Sequence, residues 1–203
     1  VARKAIENGA KLVDDISVGV LDKEMIATGG KLEVPYIMMH KHNNPQTMQN
    51  NSSYENILID ITKYFSSKII DAKNHGIKDL ILDVGFGFGK TIEDNYTLLK
   101  NLSHFSILGH PILAGLSRKY MLYKPLDSTS ENALNATTAA HMIALQQGTK
   151  ILRVQDVKEA VEAIKIYNLW FQIKTAFKSL LLQQINYNRT FLSVEKVSKE
   201  YVE

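Results

Sequence analysis

The sequence predicts an α/β fold: a partial TIM-type (β/α)8 barrel of about five parallel βα units, equivalent to the C-terminal part of such a barrel. Three observations predict it. Short apolar runs alternate strictly with longer runs of helical periodicity, the pattern of parallel strands joined by right-handed crossovers. Polar and charged residues follow the apolar runs at Asp14, His40, Asp83, Ser117 to Lys119 and Arg153 to Asp156. Parallel strands would bring those positions to one rim, as the βα loops of a barrel do. The third is the number of units. About five fall short of the eight that close a barrel, so about three are expected to be missing on the N-terminal side.

The elements are justified in order. Val1 to Gly9 mixes apolar and charged residues at helical spacing, and Gly9 supplies a stop. Lys11 to Ser17 reads as a strand. Leu21 to Gly29 reads as a helix ended by Gly29 and Gly30. Val34 to Met39 is the next strand, and His40 to Ser53 a polar, Asn-rich loop around Pro45. From Tyr54 to His75 the apolar residues Ile57, Ile61, Tyr64, Phe65, Ile69 and Ile70 recur at helical spacing until Gly76. Asp79 to Asp83 is a buried strand. Ile92 to Leu102 is a helix that Thr91 and Asp94 would cap. Pro111 to Gly115 is a strand, Ser130 to Gln147 a helix, Lys150 to Val154 the last strand, and Asp156 to about Trp170 its helix. Residues 1–170 thus read as one partial barrel. Residues 171–203 read as a C-terminal extension, helical from Ile173 to Gln183 and then irregular.

Composition narrows the function classes. A formal net charge of +3 over 203 residues is too weak to indicate a nucleic-acid partner. There is no cysteine, hence no disulfide framework and no thiolate chemistry. No apolar run approaches a membrane span, and no secretion signal opens the chain, so a cytoplasmic protein is expected. The helix under way at Val1, without a starting Met, leads us to expect a sequence that begins inside a larger protein.

Ile81-Leu82-Asp83-Val84-Gly85-Phe86-Gly87-Phe88-Gly89-Lys90 carries the densest signal. An apolar run ends in a carboxylate, and a glycine-alternating loop follows that could let the backbone approach a flat ligand. Two nucleotide motifs fail here. Val84 stands where a P-loop needs its first glycine, and the third glycine comes one position early for a dinucleotide fingerprint. Asp14 and Asp83 on one rim could grip a ligand edge offering N–H donors; the other reading is that each caps the helix after it. Arg118 and Lys119 are either opposing cations of the same site or solvated surface charges. Arg153, near a strand end, would need an anionic partner if buried, and its planar fork suits phosphate. His40 and His42 lack the carboxylate neighbours of a metal site.

The Asp83 loop, Gly115-Leu116-Ser117-Arg118-Lys119 and Arg153-Val154-Gln155-Asp156-Val157 together resemble dihydropteroate synthases. Met39-His40, Gln46 to Gln49 and Tyr54 fit the same family, and the resemblance runs in order to about residue 168. It implies a transferase of folate synthesis that condenses a dihydropterin methyl diphosphate with p-aminobenzoate. Position by position it implies Asp83, Asp14 and Lys119 on the pterin, and Ile16, Met39 and Phe88 as apolar walls. Gly115 would leave room for the ring. Arg118, Phe88 and Lys119 would border the aminobenzoate, and Arg153 with Gln155 would hold the diphosphate. It further implies Mg2+, with its ligand in the missing N-terminal part, and a homodimer. The chain departs from the family's pattern at Val84 (usually Pro), Gln155 (usually His), Asp14 (usually Asn) and Tyr120 (often Ser). Two other readings accompany this one: a non-catalytic pterin-binding remnant, and a methyltetrahydrofolate-binding barrel.

Overall fold

The structure, a computed structural model, describes residues 1–41 and 54–173. Strands β1 (Val13–Asp15), β2 (Tyr36–Met39), β3 (Leu80–Asp83), β4 (Ile112–Ala114) and β5 (Ile151–Leu152) form one sheet in chain order. Every neighbouring pair is parallel. Helices alternate with the strands: α1 (Ala2–Glu7), α2 (Met25–Leu32), α3 (Ile57–Asn74), α4 (Ile92–Lys100), α5 (Tyr120–Tyr123) and α6 (Leu134–Gln146). Short 3-10 turns at Leu102–Leu108 and Lys124–Leu126 follow α4 and α5. The chain divides into two units, Val1–Val161 and Glu162–Glu203. Residues 157–161 are helical in the first and 162–173 in the second. The expected loop from residue 42 and the expected helix beyond residue 173 lie outside the described residues.

Strand period explains the two faces of the sheet. Val13, Tyr36, Met38, Leu80, Leu82, Ile112 and Ala114 belong to the core beneath the helices. The alternate positions, Asp14, Ile37, Met39, Ile81, Asp83 and Leu113, therefore face the concave side. Register places Met39 beside Asp83, and Asp83 beside Leu113. The strand after each helix is short and unmixed in direction, so all the strand C-termini open on the same side.

Local rules account for most helices. Asn56 accepts hydrogen bonds from Leu58 N and Ile59 N at the start of α3, and Thr91 and Asp94 form the expected capping box of α4. Ile57, Ile61, Phe65, Ile69 and Ala72 bury one stripe of α3, whereas Ile70 is 62% exposed and off that stripe. The larger correction is α2. The helix begins at Met25 and runs through Gly29 and Gly30 instead of ending there. A Cβ on Gly30 would lie 1.8 Å from His75 O, so this glycine lets α2 pass against the end of α3. The short α5 and the two 3-10 turns had no counterpart in the apolar periodicity, because each is too brief to show a period.

Candidate active site

Side chains from within β1, from the end of β3 and from just after β4 and β5 meet over the concave face. Arg153 continues β5, its N–H donating to Ala114 O at 3.0 Å. Its guanidinium lies between two carboxylates, with Nη2 2.7 Å from Asp83 Oδ2 and Nη1 3.1 Å from Asp14 Oδ2. The side chain of Asp83 is 1% exposed; those of Arg153 and Asp14 are a little over a third exposed. The other oxygen of Asp83 accepts from Gly85 N at 2.8 Å. Arg153 thus has the anionic partner that its burial requires. A Cβ on Gly115 would stand 2.8 Å from Arg153 Nη2, so the missing side chain leaves the room over Gly115 that the guanidinium takes here.

The loop after β3 is anchored by side chains from several elements. Gly85 has φ +68°, and a Cβ there would meet His40 O at 1.9 Å, so only glycine fits between β2 and the loop. Gly87 N donates to Asn95 Oδ1 at 2.7 Å. Lys119 Nζ donates to Phe86 O and lies 5.0 Å from the centre of the Phe88 ring. Lys90 Nζ donates to the carbonyls of Gly85, His40 and Phe88 at 2.8, 3.3 and 3.4 Å.

Burial shapes the charges. It pushes the Lys119 ammonium down to about 8, Asp83 opposing the fall and Arg153 adding to it. Burial likewise lowers Lys90 to about 7, with Asp83 opposing and Lys119 adding. Asp14 is raised, chiefly by burial; Arg153 pulls it back and Asp83 pushes it further.

Arg118 is placed differently from the other cations. It has φ +54° and forms a two-pronged pair with Asp156, Nε and Nη2 each 2.9 Å from a carboxylate oxygen. Its Nη1 donates to the carbonyls of Ser130 and Glu131, and its backbone N–H to Thr137 Oγ1. Most of its donors are therefore engaged within the protein. Gln155 is exposed and reaches the rim through its backbone N–H, 3.3 Å from Ser117 Oγ. Ile16 is 43% exposed and Met39 fully buried, while Phe88 is half-buried. Tyr120 packs edge-on against Tyr123 and is 55% exposed. His40 is buried among the rings of Tyr54, Tyr64 and Phe65; His42 lies outside the described residues. Val84, at the position where Pro was expected, is fully buried.

Neither rim carboxylate caps a helix; both meet Arg153. Among the described residues no three His, Asp or Glu side chains form a metal-binding group. The Mg2+ implied by the resemblance therefore finds no fitting ligand set among them, and Asp14 and Asp83 meet a cation of the chain's own.

Lys90, Asn95 and Asp15 were missed. Asp15 is the buried neighbour of Asp14 and accepts from Ser17 N, Ser17 Oγ, Gly19 N and Tyr36 Oη. Strand alternation alone would have separated the two acids, one to each face. No sequence signal marks Asn95. Lys90 was visible only as the end of a rejected P-loop.

Comparison with known proteins follows this geometry. A family profile described as "Pterin binding enzyme" matches residues 1–155. A dihydropteroate synthase of Haemophilus influenzae is 39% identical over 169 residues, 82% of this chain and 61% of that protein. The dihydropteroate synthase of Escherichia coli is 35% identical over 82% of this chain and 59% of its own length. Crystal structures agree. Yersinia pestis dihydropteroate synthase with a sulfonamide drug superposes with a TM-score of 0.79 at 34% identity, covering 84% of this chain and 62% of that one. The Thermus thermophilus enzyme in complex with 6HMPPP gives 0.78 at 32% identity, covering 84% and 68%. The chain spans about three fifths of the length of the curated relatives it matches. Among the described residues no helix is long and apolar enough to cross a membrane.

Proposed function

The chain belongs to the pterin binding enzyme family, and we propose that it carries the larger part of a dihydropteroate synthase active site. The reaction would join 6-hydroxymethyl-7,8-dihydropterin diphosphate to p-aminobenzoate, giving 7,8-dihydropteroate and diphosphate in folate biosynthesis. One observation carries the reading: a guanidinium from the last strand, held between two carboxylates from β1 and β3. Once the guanidinium swings off them, the carboxylates would offer acceptors to the N–H edge of a ligand and Arg153 a fork to its anionic end.

In the proposed reaction the neutral aromatic amine attacks the pterin methylene carbon. A C–N bond forms as the C–O bond to diphosphate breaks, the electron pair leaving on the phosphate oxygen. The amine nitrogen then releases a proton. Asp83 and Asp14 would accept from the pterin edge, and Arg153 would turn from them to the departing diphosphate, beside Gln155. Cations fixed where negative charge develops stabilise that separation. Lys119 would contact the pterin and, with Phe88 and Arg118, border the aminobenzoate. Ile16, Met39 and Gly115 would line the pterin side. A cytoplasmic homodimer is the matching expectation, resting on the resemblance alone; sedimentation and fractionation test it.

The experiment pairs an assay of 7,8-dihydropteroate formation with calorimetric pterin binding. It uses this chain and a version spanning the relatives' full length. In the longer version, Asp83→Asn or Lys119→Ala should lower turnover roughly a hundredfold or more. Near-native turnover in both variants overturns the proposal. Pterin binding without turnover in the longer version selects a non-catalytic binding protein instead. This chain alone should turn over little, since it spans 61% of a matched relative.

A further inference from the structure

Lys90 is a partly buried cation for which the proposed reaction has no task. Its ammonium has three N–H donors, and three backbone carbonyls meet it, at 2.8, 3.3 and 3.4 Å. No ion pair to it is present among the described residues. The carbonyls come from two places: His40 at the end of β2, and Gly85 and Phe88 in the loop after β3. That loop carries glycine at 85, 87 and 89, all with positive φ. A backbone so rich in glycine loses more conformational freedom on ordering than any other, and it will not hold one shape unaided. Phe88, half-buried, is placed by this loop, and its ring faces Lys119.

We propose that Lys90 is a positioning residue, which bridges the end of β2 to the 85–88 carbonyls and so fixes the Phe88 and Lys119 wall of the pterin pocket. The inference rests on the proposed function for the word pterin, and on geometry alone for the clamp. Lys90 acts from behind the loop, in company with Asn95 on Gly87 N and Lys119 on Phe86 O. The charged groups facing it are Asp83 from β3, Lys119 from the segment after β4, and Asp94 from α4. Its burial favours the neutral amine, which donates two hydrogens instead of three, so the clamp weakens as that proton leaves.

Lys90→Met in this chain is the test, with a 6-substituted pterin as the probe. Calorimetry should show binding weakened roughly tenfold, the loss of about one charge-assisted clamp. Amide hydrogen exchange should speed at Gly87 and Phe88 while Leu80 and Leu82 of β3 stay protected, a pattern that general destabilisation does not produce. Binding within about twofold of wild type, with loop exchange unchanged, overturns the inference. Should Lys90→Met not fold, a Lys119→Met chain decides. Its Gly85 to Phe88 amide resonances should move together with one midpoint, displaced upward from about 7 because the Lys119 charge that helps lower Lys90 is gone, and a flat response is fatal. Wild-type protein that binds no pterin, yet shows the loop response, would sink the proposed function and leave the clamp intact.

Discussion

Asp15 shows how much a single rim-side residue can organise without touching a ligand. It is 6% exposed and accepts four hydrogen bonds, including one of 2.6 Å from the fully buried Tyr36. Burial raises its pKa, but the bonds from Tyr36, Ser17 and Gly19 together prevail and hold it below the usual carboxylate range. Tyr36 is correspondingly raised, first by burial and then by the same bond. The carboxylate thereby sets the turn in which Val18 adopts φ +47° beside Gly19. In Asp15→Asn an amide N–H would oppose the N–H of Gly19 or the O–H of Tyr36. We expect a loss of about 2–4 kcal/mol by urea unfolding near neutral pH. A depressed folded pKa contributes stability that is present above the unfolded value of 3.8 and lost as pH falls through the folded one. The gap between wild type and variant should therefore narrow below about pH 4. A gap that widens in acid would show that Asp15 is not ionised in the fold.

At the scale of elements, α2 reverses an ordinary rule. Alanine at a helical glycine usually adds up to about 1 kcal/mol. At Gly30 the new Cβ would stand 1.8 Å from His75 O and 2.8 Å from His75 C, both backbone atoms at the end of α3. The helices would have to separate, so Gly30→Ala should destabilise by about 2 kcal/mol or more, read from the urea midpoint. A stabilised variant would mean the helices do not touch there. The same glycine explains what the sequence could and could not reveal. Apolar runs located all five strands, because buried parallel strands show continuous apolarity. Capping chemistry located the start of α4. Gly29 and Gly30 read as a stop because their reason is a tertiary contact, invisible to local pattern. The site divides in the same way. Asp14, Asp83 and Arg153 were legible as residues near strand ends. The occupation of the Gly115 space by Arg153, and the engagement of Arg118 by Asp156, depend on how side chains reach across strands.

A contact links the outermost strands of the sheet. β1 and β5 are separated by three strands in the sheet order, yet Asp14, within β1, and Arg153, just past β5, are 3.1 Å apart. Only a strongly curved sheet allows this, and the relatives' superposition makes it an arc of a barrel. Arg153 spans the concavity and neutralises two acids that would otherwise face each other. Arg153→Met removes the tie and leaves Asp83, 1% exposed, without its cation. Losing one partner of a buried pair costs about 3–5 kcal/mol, and the exposure of Arg153 brings the expectation down to about 2–4 kcal/mol. The pH dependence then gives the sign. Asp14 is already raised by burial and by Asp83, with Arg153 opposing. Without Arg153 the Asp14 carboxyl would rise further, and a raised folded pKa gives stability that is lost as pH climbs through it. Arg153→Met should therefore regain stability as pH falls from neutral towards the carboxylate range, while wild type changes less. Adding Asp14→Asn to Arg153→Met should restore part of the loss at neutral pH and flatten that slope, since one of the two facing charges is gone. If the double variant is no more stable than Arg153→Met at neutral pH, the two edge strands are not coupled through this guanidinium.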